Sequence, residues 1–137
     1  MNNKIVYVTK EEAKEIKNHL LCNEDIFIAE IEGTKIRTEA DYVQAMFSAF
    51  AFPNELPAMK LGWYNDYICD LMWIRQKNIV LIIHEYDSML NDDIKLKRTI
   101  LDDFEEIILP WWESEVIGHM VGGISRGFIV YLEQSSK

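Results

Sequence analysis

Basic residues are scarce in this chain: 14 Lys and Arg stand against 23 Asp and Glu, a formal net charge of −9 over 137 residues. A field of that sign repels phosphate backbones, so direct binding of nucleic acid is excluded as a first reading. Cysteine is scarcer still. Cys22 and Cys69 are the only two, they fall in separate predicted elements, and two such thiols make no disulfide framework. No run approaches the roughly 20 apolar residues of a membrane span. Glu11, Glu12, Lys14 and Glu15 break up the start before an apolar signal core can form. With three Pro and six Gly there is no linker, and no repeat or low-complexity tract appears. The expectation is a cytoplasmic protein with reduced thiols. An apolar fraction of 49% excludes disorder, and the length allows one domain around one core.

What is present alternates between strand and helix signals. Ile5-Val6-Tyr7-Val8 reads as a short strand. Thr9 stands three residues before Glu12, a capping-box spacing, ahead of a helix reaching about Leu21. Residues 26–31 read as a second strand, closed by a turn at Glu32-Gly33-Thr34. Thr38 caps the next helix, whose apolar positions Tyr42, Val43, Met46, Phe47 and Phe50 recur at three and four residues. A further helix is predicted over 61–74. Ile79 to Ile83 is a continuous apolar run, as in a strand covered on both faces. Residues 92–109 read as a helix, and Pro110 is expected to kink or restart it at a new angle. A last strand follows over Phe128–Leu132, and Gln134 to Lys137 should fray. The fold class is therefore α/β: a small, mostly parallel single sheet packed by helices. It has three core strands, with Ile5–Val8 as a candidate fourth. Residues 26–134 form the expected core and 1–25 an N-terminal extension.

The 61–75 segment carries two stripes. At about 100° per residue, Tyr64, Tyr67, Ile68, Leu71 and Met72 share the natural core side. Trp63, Asp66, Asp70 and Trp73 gather on the other. Carboxylates there are ordinary; two tryptophans are not. Indoles supply rigid contact area and carboxylates accept Arg or Lys, which is interface chemistry. The plain alternative is that the indoles turn into neighbouring loops. A second acidic concentration is Asp102, Asp103, Glu105 and Glu106. Between Gly62 and Glu115 twelve acidic residues face five basic ones, so this window holds most of the charge.

Other constellations are weaker. His19 and Cys22 have one zinc-like spacing but no matched second pair, so no metal is expected. His84 ends the apolar strand, with Glu85 and Asp87 after it, where a hydrolytic site is imaginable. No nucleophile elbow, phosphate loop or dinucleotide fingerprint accompanies them. No cofactor and no small-molecule substrate are therefore expected.

From residue 26 onward the order of elements resembles the barstar family of ribonuclease inhibitors. The residues that carry the resemblance are the strand and turn Ile28 to Gly33, Lys35-Ile36-Arg37-Thr38 and Phe50-Ala51-Phe52-Pro53. The aromatic-acidic segment Trp63 to Trp73 follows, then the apolar strand and Asp102-Asp103-Phe104-Glu105-Glu106. Leu109-Pro110-Trp111-Trp112-Glu113 and the closing strand are similar to a longer branch of the family. The resemblance implies an acidic helix that plugs a ribonuclease cleft, one carboxylate replacing the scissile phosphate among Arg, Lys and His. That carboxylate would be Asp66, with Asp70 one turn later and Glu106 a supporting acceptor on the later helix. The family's earlier aspartate falls at Gly62, a departure, or at Asn65 after a shift of one residue. The loop Pro57-Ala58-Met59-Lys60-Leu61 also departs, which points to a different toxin from the familiar one. Trp63, Tyr64 and Trp73 would be anchors or rim. The leading expectation is thus a non-enzymatic inhibitor of a basic nuclease toxin. The alternatives are a module of the same fold for a non-nuclease partner, and a hydrolase using His84 with Glu85.

Overall fold

The computed structural model describes residues 2–135. Four strands, β1 (Lys4–Thr9), β2 (Ile26–Glu32), β3 (Asn78–His84) and β4 (Gly127–Gln134), form one sheet in the order β1-β4-β3-β2. All pairings are parallel, in the register Ile28↔Val80↔Ile129. The apolar run predicts a strand covered on both faces, and β3 lies inside the sheet with five consecutive buried residues.

The strand order dictates which face each helix covers. From β2 through β3 to β4 the chain steps across the sheet in one direction, and from β1 to β2 it moves the opposite way. Right-handed crossovers then put the β1–β2 connection on one face and everything between β2 and β4 on the other. Accordingly α1 (Lys10–Leu20) packs Ala13 against Val8, Val80 and Ile82. The opposite face, with Ala29, Ile31, Ile79, Leu81, Ile83, Phe128, Val130 and Leu132, takes α2 (Glu39–Ala49), α3 (Leu61–Ile68) and the later helices. Both predicted N-caps are present. Thr9 and Glu12 close a capping box, and Thr38 accepts the Asp41 N–H at 3.1 Å.

The candidate fourth strand is present: β1 pairs with β4 along its whole length, and α1 covers the sheet. Two expectations change. The helix predicted over 61–74 stops at Ile68, and Leu71 turns left-handed with φ 49°. Gln134 does not fray, because it pairs with Thr9, and Ser135 donates its N–H to Asp87 at 3.0 Å. Residues 136 and 137 lie outside the described residues. At Pro110 the helical path continues into Trp111–Glu115 and beyond, the continuation expected of it. α4 (Ile94–Asp103) runs on through a wide turn at Phe104–Ile108 and another at Trp111–Glu115 into α5 (Val116–His119). A proline has no N–H and its ring crowds the carbonyl four residues back. Bonds reaching five residues back, such as Leu109 N–H to Phe104 C=O, absorb the mismatch while φ and ψ stay right-handed.

Gly33 seals the end of the β2–β3 pair. A Cβ built there would lie 2.3 Å from the Glu85 carbonyl oxygen and 2.7 Å from that of His84. Both are backbone atoms that cannot rotate away. Gly33→Ala is expected to lose about 1–3 kcal/mol of stability through overpacking, measured by urea unfolding.

Candidate functional site

The first turn of α3 is capped from outside. Lys60 provides no side-chain acceptor, and the Glu39 carboxylate at the start of α2 takes the Leu61 N–H at 2.9 Å. Tyr64 then points inward. Its hydroxyl meets that of Tyr42 at 2.9 Å, the rings cross edge to face, and burial pushes both phenols up. At 1% exposure Tyr64 is the core residue that the periodicity predicts, not the anchor or rim residue that the family resemblance implies. Asn65 is half-buried and donates its amide to Asp103 at 3.2 Å, with its Oδ1 buried and unpartnered. Asp66 is exposed beside it, and Trp63 is 45% exposed.

Beyond Ile68 the expected second stripe comes apart, because the chain no longer follows helical periodicity. Trp73 donates its indole N–H to the Phe50 carbonyl at 2.8 Å and packs edge-on against Phe52. It pins the end of α2 and cannot share a face with Trp63 and Asp66. Met72, assigned by the helical pattern to the core side, is instead 80% exposed. The turn is fixed by donors far along the chain. Trp112 and Trp111 give their indole N–H groups to the carbonyls of Ile68 (2.9 Å) and Cys69 (2.8 Å). Arg126 bonds the carbonyls of Leu71 and Gln76, both at 3.0 Å, and its guanidinium stacks on Trp112. Burial lowers the Arg126 pKa, and nearby Asp70 opposes that shift.

The result is an open groove of about 820 Å³ between α3 and the 104–120 helix. Asn65, Asp66, Asp70, Met72, Ile107 and Met120 line it, over Cys69 and Trp111. The Cys69 thiol is pushed up to about 12, first by burial and then by the charges of Asp66 and Glu115. Glu106 is exposed on the wide turn, next to Ile107 but not among the lining residues. Among the described residues no Lys, Arg or His pairs with Asp66, Asp70 or Glu106. The groove thus brings together Asp66, Asp70 and Asn65, leaves Trp63 and Glu106 outside its lining, and buries Tyr64. Sequence reasoning missed the positioning residues Trp111, Trp112 and Arg126. The adjacent indoles were the available signal, since a buried indole N–H needs an acceptor.

The family model for barstar (barnase inhibitor) matches residues 26–121. The chain belongs to the barstar family. The match spans β2 to α5 and leaves out β1, α1 and β4. No curated protein sequence matches this barstar-family chain. Among solved structures it is similar to the Aeropyrum pernix ORC2 protein in its ADP form, with a TM-score of 0.56 and 14% identity over 96% of this chain and 35% of that one. It is also similar to Drosophila ORC bound to DNA, with a TM-score of 0.54 and 13% identity over 98% and 33% of the two chains. The chain spans about a third of each of these, and at such identity the likeness is one of fold.

The second polar cluster of this barstar-family chain lies at the carboxyl ends of the strands, on the α1 face. His84 meets Glu30 through Nε2 at 2.8 Å and Glu133 through Nδ1 at 3.1 Å. Lys17 pairs with Glu30, and Lys10 with Glu85, whose carboxylate also accepts from Ser135. The hydrolytic pairing of His84 with Glu85 does not form. Both imidazole nitrogens are committed to other carboxylates, and Glu85 faces Lys10 and Ser135. His19 and Cys22 are exposed, and no group of three metal-ligating side chains occurs among the described residues.

Two outcomes follow from this geometry. Trp112→Phe keeps a ring but leaves the Ile68 carbonyl unpartnered. It is expected to cost about 1–3 kcal/mol and to speed amide exchange at residues 69–72. For His84, partial burial lowers the pKa, but the hydrogen bonds to Glu30 and Glu133 outweigh it and the net shift is upward. A doubly protonated ring serves both carboxylates, whereas the neutral ring turns one lone pair toward an oxygen. The stability margin of the wild type over His84→Gln is therefore full below about pH 6.5 and shrinks as pH rises through the raised pKa. Unfolding of both proteins from pH 5.5 to 9 reads it; a margin that grows with pH contradicts the assignment.

Proposed function

We propose that this barstar-family protein inhibits a basic ribonuclease, with Asp66 set among the cations that would otherwise bind the scissile phosphate. The observation that carries the reading is the state of Asp66. It is an exposed carboxylate without a cationic partner among the described residues, on a helix clamped at both ends. A nuclease cleft supplies the missing cations, and steering between an acidic inhibitor and a basic enzyme speeds encounter. The commitment of Asn65 to Asp103 supports the register in which Asp66, not Asn65, is the outward acceptor. Asp70 assists from the groove, while Glu106 and Trp63 make peripheral contacts. In this role the protein works in the cytoplasm, where the RNA to be protected lies.

The test is inhibition of a copurifying nuclease, identified by mass spectrometry after capture on the tagged protein. Asp66→Asn removes the charge at nearly constant shape and is expected to weaken binding by about 2–5 kcal/mol, while Asp25→Asn, in the loop before β2, leaves it unchanged. Capture of a partner with no nuclease activity would favour the alternative, an interaction module on the same fold.

A further inference from the structure

The acids account for only part of the groove. Its other lining groups are Met72, Ile107 and Met120, which are 80%, 46% and 48% exposed. They come from three separate elements: the turn after α3, the wide turn before Pro110, and the residue after α5. Each is held outward by a local backbone feature. Leu71 in the left-handed region buries its own side chain and turns Met72 to solvent. Ile107 sits in the widened turn that accommodates Pro110. Met120 leaves helical geometry for an extended backbone, with φ −126° and ψ 130°. Converging apolar groups beside water are the mark of a contact surface, and methionine adapts its shape to what it meets.

We propose that the groove receives one bulky apolar side chain, aliphatic or aromatic, carried by the nuclease beside its phosphate-binding cations. The occupant must be apolar on the Met72, Ile107 and Met120 side and cationic on the Asp66 and Asp70 side. Its place is a loop bordering the cleft, because Asp66 and the apolar side chains line one and the same groove. This deepens the ribonuclease-inhibitor reading and rests on it. It divides the labour within the interface. Asp66 acts on arrival through long-range charge and on departure through its contact with the cations, whereas the apolar wall acts on departure alone.

Surface plasmon resonance with barnase and a panel of other secreted basic ribonucleases tests the division. The variant Met72→Ser/Ile107→Ser/Met120→Ser is expected to dissociate roughly tenfold to a hundredfold faster, with its association rate and salt dependence unchanged. Asp66→Asn differs in kind: it loses its contact with the cations and dissociates faster too, but it also associates more slowly, with a flatter salt dependence. Met72→Ser alone, at the most exposed of the three sites, keeps the fold and carries a smaller effect of the same kind should the triple variant lose its melting transition. If the wild type binds a ribonuclease and neither serine variant dissociates faster, the apolar pocket is refuted while the inhibitor reading stands. If the wild type binds none of the panel and capture on the tagged protein returns no nuclease, the inhibitor reading and this inference fall together; a nuclease that capture returns is put through the same measurements.

Discussion

A helix that stops after eight residues leaves its last carbonyls without helical partners, and how those carbonyls are satisfied decides the shape of the site. The Asn65 and Tyr67 carbonyls keep backbone N–H partners in residues 69–71, and the Ile68 carbonyl and three in the segment beyond it are met by two indole N–H groups and a guanidinium. Trp112 takes the Ile68 carbonyl and Trp111 that of Cys69, while Arg126, stacked on Trp112, takes those of Leu71 and Gln76. A backbone carbonyl buried without a partner costs more than an ordinary hydrogen bond returns, so this clamp allows one path for residues 69–76. One wall of the groove inherits its position from it. Asp70 and Met72 ride on the clamped turn, and Trp111 forms part of the floor.

The clamp also explains what could be read from sequence. Elements decided locally were legible: β3 from its unbroken apolar run, α1 and α2 from Thr9 and Thr38, and the acidic character of α3 and the turn after it from Asp66 and Asp70. Elements decided by distant partners were not. The pattern of Tyr64, Ile68, Leu71 and Met72 fits a continuing helix, but the helix ends at Ile68, whose carbonyl is taken by a donor more than forty residues away, and Leu71 turns left-handed. The Trp63–Trp73 stripe was a product of that assumed helix. Tyr64 was legible as core from periodicity, yet the resemblance to the barstar family drew it toward the interface. The structure sides with the periodicity. Pro110 was read by its usual effect, and the wide turns on either side of it have no signal in local sequence.

The two faces of the sheet divide the charged residues by use. On the α1 face the charges are satisfied: His84 lies between Glu30 and Glu133, and Lys10 and Lys17 bring α1 down onto Glu85 and Glu30. The carboxyl ends of parallel strands are where α/β proteins commonly bind ligands, and in this chain they are closed by an ion cluster instead. On the other face, Asp66, Asp70 and Glu106 have no ion-pair partner among the described residues.

The interior position of β4 has a kinetic side. β1 pairs only with β4, from Lys4↔Ile129 to Thr9↔Gln134, so the two partners are separated by well over a hundred residues of chain. During synthesis β1 has no strand to join until β4 has emerged, and α1 has only part of its seat. Such long-range closure is entropically slow. The chain between them, which includes α3 and its clamp donors Trp111 and Trp112, can form its local contacts first, but Arg126 reaches the clamp just before β4 does. The site and the sheet thus mature together, and the groove takes its final shape only as the last gap in the sheet is filled.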